Sequence, residues 1–143
     1  NAIKYQNKIN HTNSISLHVR RGDYLNHPEI GVLDVSYYQK AVKYLSVLVE
    51  NPVFFVFSND LEWCHKNFDF IEGNCIFVEN TESEIDDLVL MSLCKHNITA
   101  NSSFSWWGAW LNSSVEKIVV TPKKWMAVNP NEYKWVPDNW VEL

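Results

Sequence analysis

Glycine is scarce in this chain, four in 143 residues, and none falls in a G-x-G-x-x-G or Walker A pattern. Neither a dinucleotide oxidoreductase nor a P-loop NTPase is supported, because both need close-set glycines to lay backbone N–H groups on phosphate. Cysteine is nearly as scarce. Cys64, Cys75 and Cys94 are an odd number without metal-ligand spacing, so they read as reduced thiols in or near a core. No apolar run approaches the roughly 18 residues a membrane-spanning helix needs. Basic residues are outnumbered, 12 Lys and Arg against 17 Asp and Glu for a net charge of −5. That balance excludes a broad nucleic-acid surface, so any anion site must be local. No internal repeat or low-complexity segment occurs.

What is present is the composition of one ordinary globular domain, 46% apolar and 20% charged. A domain of this length buries roughly 70% of the surface its unfolded chain exposes, enough for one core. Aromatics stand at 14% with seven Trp, which is high. The chain opens on a polar stretch, residues 1–13, that reads as the interior of a longer protein.

Alternation of apolar and polar residues predicts a strand over 15–19. A helix is predicted from an N-cap at Ser36 to about Glu50, with Tyr38, Ala41, Val42, Leu45 and Leu48 on one stripe. Continuous apolar runs at 53–57 and 75–78 predict strands buried on both faces. A short helix to about Asn67 follows a cap at Asn59 or Asp60. An acidic helix spans 81–94, with Glu82, Glu84, Asp86 and Asp87 early, where the helix dipole favours them. A strand at 97–100, a helix at 103–111 and a fifth strand at 117–120 complete the series, before an irregular tail carrying Trp125, Trp135 and Trp140. Such alternation means βαβ units. The expected fold is α/β, a Rossmann-like parallel sheet of about five strands with helices on both faces.

Ligands of these sheets sit at the carboxyl ends of the strands. The unusual residues all follow strands: Arg20-Arg21-Gly22-Asp23, Ser58-Asn59-Asp60 and Asn101-Ser102-Ser103. Guanidinium groups pair bidentately with phosphate oxygens, so Arg20 and Arg21 read as an anion grip. Strand alternation sends them to opposite sides, one toward a ligand and one bracing the loop through Asp23. A structural ion pair, of Arg21 with Asp23 or of Arg20 with an acidic helix, stands equally open on these residues alone. Gly22 lets backbone approach a ligand closely. Ser102 or Ser103 is placed to cap a helix whose first-turn N–H groups attract anions, though an ordinary cap has the same signature. Trp106, Trp107 and Trp110 fit core packing for two of the three, with a sugar-stacking face open for one. His18 suits contact with a base or phosphate, or a satisfied core position. Asp87 suits the N1–H and amino group of guanine, or a solvated helix face. No D-x-D metal motif is present. Asn97, Asn101 and Asn112 match glycosylation sequons, which matter only in a secreted chain.

Taken in order, His18-Val-Arg-Arg-Gly-Asp-Tyr24, Phe55-Val-Phe-Ser-Asn-Asp60, Asn101-Ser-Ser-Phe-Ser-Trp-Trp-Gly-Ala-Trp110 and Val120-Thr-Pro-Lys-Lys-Trp125 resemble the α-1,2-fucosyltransferases of glycosyltransferase family 11 over nearly the whole chain. The resemblance implies the donor-binding half of a GT-B-like fold. Residues 1–143 would be a GDP-fucose-binding domain whose amino-terminal acceptor domain lies outside them. It further implies inverting transfer of fucose from GDP-fucose to the 2-hydroxyl of a galactose-terminated glycan. No metal, no other cofactor and no nucleic-acid partner are expected, and the enzyme would be cytoplasmic, peripheral to the inner face of a bacterial membrane.

Carried over by position, Arg20 corresponds to the arginine on the β-phosphate and His18 to the histidine near the guanosine. Asp87 corresponds to the guanine-reading acid, and Ser102 and Ser103 to hydroxyls on the pyrophosphate. Arg21, Gly22, Asn59, Asn101 and Phe104 complete the expected donor-binding set. Asp23 lies nearest the place of a general base, although its expected pairing with Arg21 makes it a weak one. The alternative from another class is a nucleotide- or glycan-binding module without turnover. A phosphate hydrolase would need a nucleophile or metal cluster at a strand end, and none is visible.

Overall fold

The computed structural model describes residues 1–129 and 134–143. Six strands form one parallel sheet: β1 (Asn13–Val19), β2 (Pro52–Ser58), β3 (Cys75–Phe77), β4 (His96–Ile98), β5 (Val119–Thr121) and β6 (Val141–Glu142). Their order is β3-β2-β1-β4-β5-β6. All five neighbouring pairs are parallel, with His18 beside Phe57 and Val19 beside Ser58. The order reverses between β1 and β4, and the carboxyl ends there form the crevice where open α/β sheets bind ligands.

The helices are α1 (Ala2–Asn10), α2 (Val35–Leu48), α3 (Leu61–Asn67), α4 (Glu84–Leu93) and α5 (Ser103–Leu111). On one face Ile15, Leu17, Val19, Phe54 and Val56 pack with Tyr38, Ala41 and Leu45 of α2 and Cys64 of α3. On the other, Val53, Phe55 and Phe57 pack with Ile9 of α1 and Leu90 and Met91 of α4. Cys64, Cys75 and Cys94 are free thiols, as the odd count implies.

Several boundaries differ from the sequence reading, each for a local reason. The opening polar stretch is helical from Ala2 to Asn10, anchored by buried Ile9 and half-buried Tyr5 while Ile3 stays exposed. Two apolar residues at i, i+4 among polar neighbours make too thin a stripe to read as a helix. Helix α2 begins at Val35 with Asp34 as its cap residue, two residues ahead of Ser36. Helix α4 begins at Glu84, because Ser83 caps it by accepting from Asp86 N, while Asp86 Oδ2 reaches back to accept from Glu82 N. The fifth strand runs from Val119 rather than Lys117. Lys117 Nζ instead donates to the terminal carbonyls of Ala109 and Asn112 at 2.8 and 2.9 Å. A sixth strand pairs Val141 with Val120 inside the tail that reads as irregular.

The sequon asparagines are turned inward. Asn97 donates to Ser16 Oγ, Asn112 to Asn97 Oδ1, and Asn101 to the carbonyls of Gly31 and Trp125. All three are at most 5% exposed, so none offers its amide to a glycan in the folded chain.

Candidate functional site

Strand β1 carries apolar residues on one face and Ser14, Ser16 and His18 on the other, all buried. Burying that polar stripe is costly unless each group finds a partner. Ser14 Oγ accepts from Lys95 N, and Ser16 Oγ accepts from Asn97 Nδ2 at 2.7 Å. His18 breaks the pattern. Its Nδ1 is buried with no hydrogen-bond partner among the described residues, although Tyr38 Oη donates to its carbonyl. Burial, and secondarily the Arg20 charge, push its pKa down to about 3, so the ring is neutral at physiological pH.

His18 lines a cavity of about 190 Å³ beyond the ends of β1 and β2. The wall is completed by Arg20, Phe57, Ser58 and Asn59, by Glu84, Asp87 and Met91 of α4, and by Phe104 of α5. The Phe104 ring lies 5.6 Å from the His18 ring, tilted by 52°. Asp87 is half-buried, and that burial raises its pKa despite a 2.8 Å hydrogen bond from Thr81 Oγ1. A larger groove of about 470 Å³ lies at the opposite end of β2, against Asn51, Pro52 and Gly73, and contains none of the motif residues.

The two arginines part company at the strand end, with partners other than those expected. Arg20, not Arg21, binds Asp23: Nε donates to Oδ1 at 3.1 Å and Nη2 to Oδ2 at 3.0 Å. This pairing raises the Arg20 pKa and lowers that of exposed Asp23. Arg21 turns to the other side, its guanidinium 4.2 Å above the Trp63 ring and its Nε 3.5 Å from Asp60. The expected brace between Arg21 and Asp23 is absent because alternation carries Arg21 across the sheet toward α3. Asn59 joins the two loops, accepting from Arg21 N at 2.9 Å and donating to Asp23 Oδ1 at 3.3 Å. Gly22 serves this contact, since a Cβ on it would stand 2.6 Å from Asn59 Nδ2.

The segment after β4 is divided between support and lining. Asn101 clips the loops at Gly31 and Trp125, Ser102 caps α5 through Phe104 N, and Ser103 is exposed at the first helical position. Phe104 is the residue of this segment that lines the cavity. Trp106 joins Trp140 in the cluster beneath α5, whereas Trp107 and Trp110 are about half exposed, so one of the three packs inward rather than two.

A family model described as glycosyl transferase family 11 matches residues 2–142. The chain belongs to glycosyl transferase family 11. Among family 11 relatives it is 46% identical to the O-antigen biosynthesis glycosyltransferase WbnK of Escherichia coli, over 92% of this chain and 45% of WbnK. It is 41% identical to an α-1,2-colitosyltransferase of the same organism, over 92% and 48%. A galactoside α-(1,2)-fucosyltransferase 1 of Sus scrofa is 39% identical over 68% and 28%. The chain thus spans about half the length of the bacterial relatives it matches. Among solved structures, a glycosyl transferase of family 9 from Veillonella parvula superposes with a TM-score of 0.61 at 18% identity, covering 99% of this chain and 39% of that one. That likeness supports the Rossmann-like, GT-B-like fold.

For a family 11 chain, the structure gathers His18, Arg20, Asn59, Asp87 and Phe104 on one cavity. It places Arg21, Gly22, Asp23, Asn101, Ser102 and Ser103 in the frame around it. Glu84 was not singled out in the sequence. It sits one turn before Asp87 on the same helix face, an i, i+3 relation that was available as a signal.

Proposed function

We propose that the cavity binds the GDP moiety of GDP-fucose and that residues 1–143 are the donor-binding part of a galactoside α-1,2-fucosyltransferase. The observation that carries this reading is the buried, neutral His18 Nδ1, without a partner among the described residues, two positions from the Arg20 guanidinium that Asp23 holds. A buried polar atom left unmade costs about 1–3 kcal/mol, a cost a ligand hydrogen bond would offset. In the proposed pose guanine lies in the cavity against His18 and Phe104, with its N1–H and amino group on Asp87. Arg20 meets the β-phosphate, and the amino end of α5 faces the same charge.

The reaction follows. The acceptor galactose 2-hydroxyl attacks the anomeric carbon of fucose on the side opposite GDP, through an oxocarbenium-like transition state, with inversion. The C–O bond to phosphate breaks and negative charge grows on the leaving diphosphate. Arg20 stabilises it, a role whose loss costs on the order of 10²–10³ in rate. Asp23 is engaged by Arg20 and Asn59 and is held below the usual carboxylate range, so we assign it to orienting Arg20 rather than to taking the proton. The proton acceptor and the acceptor-sugar site are assigned to the rest of the enzyme. The reading puts no metal on the diphosphate. No helix among the described residues is long and apolar enough to cross a membrane. The relatives' names carry two sugars, colityl and fucosyl, so the donor sugar is part of the proposal.

Calorimetric titration with GDP, GDP-fucose, GDP-colitose and UDP in EDTA tests it. Binding of the guanine nucleotides at least tenfold tighter than UDP is expected, lost in Arg20→Ala. Equal binding of UDP, or no binding of GDP, would overturn the guanine assignment.

A further inference from the structure

We infer that Tyr24 is a positioning residue that fixes the phosphate-facing guanidinium of Arg20, an inference that rests on the diphosphate reading above. The Arg20 guanidinium carbon lies 5.1 Å from the centre of the Tyr24 ring. Asp23 takes the Nε and Nη2 edge of the same group. One edge and one face of the guanidinium are thereby held, and the remaining N–H groups are left to the cavity that Arg20 lines.

Each holder is itself tied to a different strand end. Asp23 Oδ1 accepts from Asn59, which follows β2. Tyr24 Oη donates to the carbonyl of Asn101, beyond β4, at 3.2 Å. Asn101 is in turn anchored by its amide to Gly31 and Trp125. Three strand-end segments thus converge on one cation, and Tyr24 is the link from the β4 side. A flexible arginine must surrender rotamer freedom to grip a ligand, a cost that falls when the guanidinium is already held. Tyr24 meets that cost in the free protein, and its ring adds a cation–π attraction. Its hydroxyl fixes the ring relative to the helix end that faces the same phosphates.

The test is the affinity of the chain for GDP and for guanosine, in Tyr24→Leu and Tyr24→Phe, with unfolding midpoints recorded for both. Tyr24→Leu is expected to weaken GDP about tenfold. Guanosine, which lacks the diphosphate, should change less than twofold. Tyr24→Phe keeps the ring and should recover most of the loss. GDP affinity unchanged in Tyr24→Leu would overturn the inference. So would equal losses for GDP and guanosine, which mark general loosening of the site. A wild-type chain that binds guanosine but gains nothing from the diphosphate would instead overturn the phosphate reading itself, and this inference with it.

Discussion

His18 follows Ser16 on one face of β1, and the two differ in their pairing: Ser16 Oγ has Asn97 Nδ2 at 2.7 Å, whereas His18 Nδ1 has no partner among the described residues. The polar stripe beneath α4 and α5 is satisfied up to the point where the cavity begins. A buried polar stripe satisfied up to its ligand-facing end is the arrangement expected when polar satisfaction is traded locally for binding.

That contrast separates stability from function at one position. His18→Phe removes an unpaired buried polar group and should leave the unfolding free energy unchanged or raise it by about 1 kcal/mol. The same change should weaken GDP about tenfold or more. Chemical denaturation and calorimetry on one preparation read both. Loss of stability with full GDP affinity would return His18 to an ordinary core role.

The depressed pKa of His18 fixes the sign of a pH effect. Below about 6.5 the unfolded chain takes up a proton that the folded chain refuses until about pH 3. Stability therefore falls as pH drops through that window, by roughly 1.4 kcal/mol per unit once the unfolded imidazole is protonated. The slope of wild type should exceed that of His18→Phe between pH 6 and 4. Parallel curves would contradict the buried neutral state.

Gly22 offers a test of the loop frame independent of any ligand. A methyl at that position meets the Asn59 amide at 2.6 Å. Gly22→Ala should cost about 1–3 kcal/mol, in the range of overpacking. Asn59→Ala in the same chain should restore part of it. A neutral Gly22→Ala would show that the Asn59 bridge yields easily.

Much of this fold was legible because its strands are buried on both faces. Val53 to Phe57 is apolar without interruption, and no surface element reads that way. Helix α1 was not legible, since only Ile9 and Tyr5, set among polar neighbours, carry its packing. Nor was β6, a two-residue strand specified by pairing with Val120 and Thr121 rather than by its own sequence. The strand-end clusters announced a site, and alternation correctly sent Arg20 and Arg21 to opposite sides. Which of them would keep Asp23 was hidden, because that depends on where Trp63 and Asp60 lie in space. Glu84 shares a helix face with Asp87 by its i, i+3 spacing, yet among like acids nothing else in the sequence sets it apart.

Asp87 gives the base preference. Its carboxylate should favour GDP over IDP, which lacks the 2-amino group, by about tenfold. Asp87→Asn should erase most of that difference. Because burial raises the Asp87 pKa, protonation on lowering the pH should erode GDP affinity in wild type at a higher pH than an ordinary aspartate would. Calorimetry across pH checks both, and an undiminished preference for GDP in Asp87→Asn would move the base elsewhere.

The most direct measurement observes His18 itself. In a chain labelled with ¹⁵N-histidine and kept in EDTA, the His18 ring nitrogens should show a neutral imidazole from pH 8 to pH 5. Addition of GDP should shift the Nδ1 resonance as that atom gains its missing partner, and UDP at the same concentration should not. GDP binding that leaves the His18 resonances unmoved would contradict the placement of the nucleotide in this cavity.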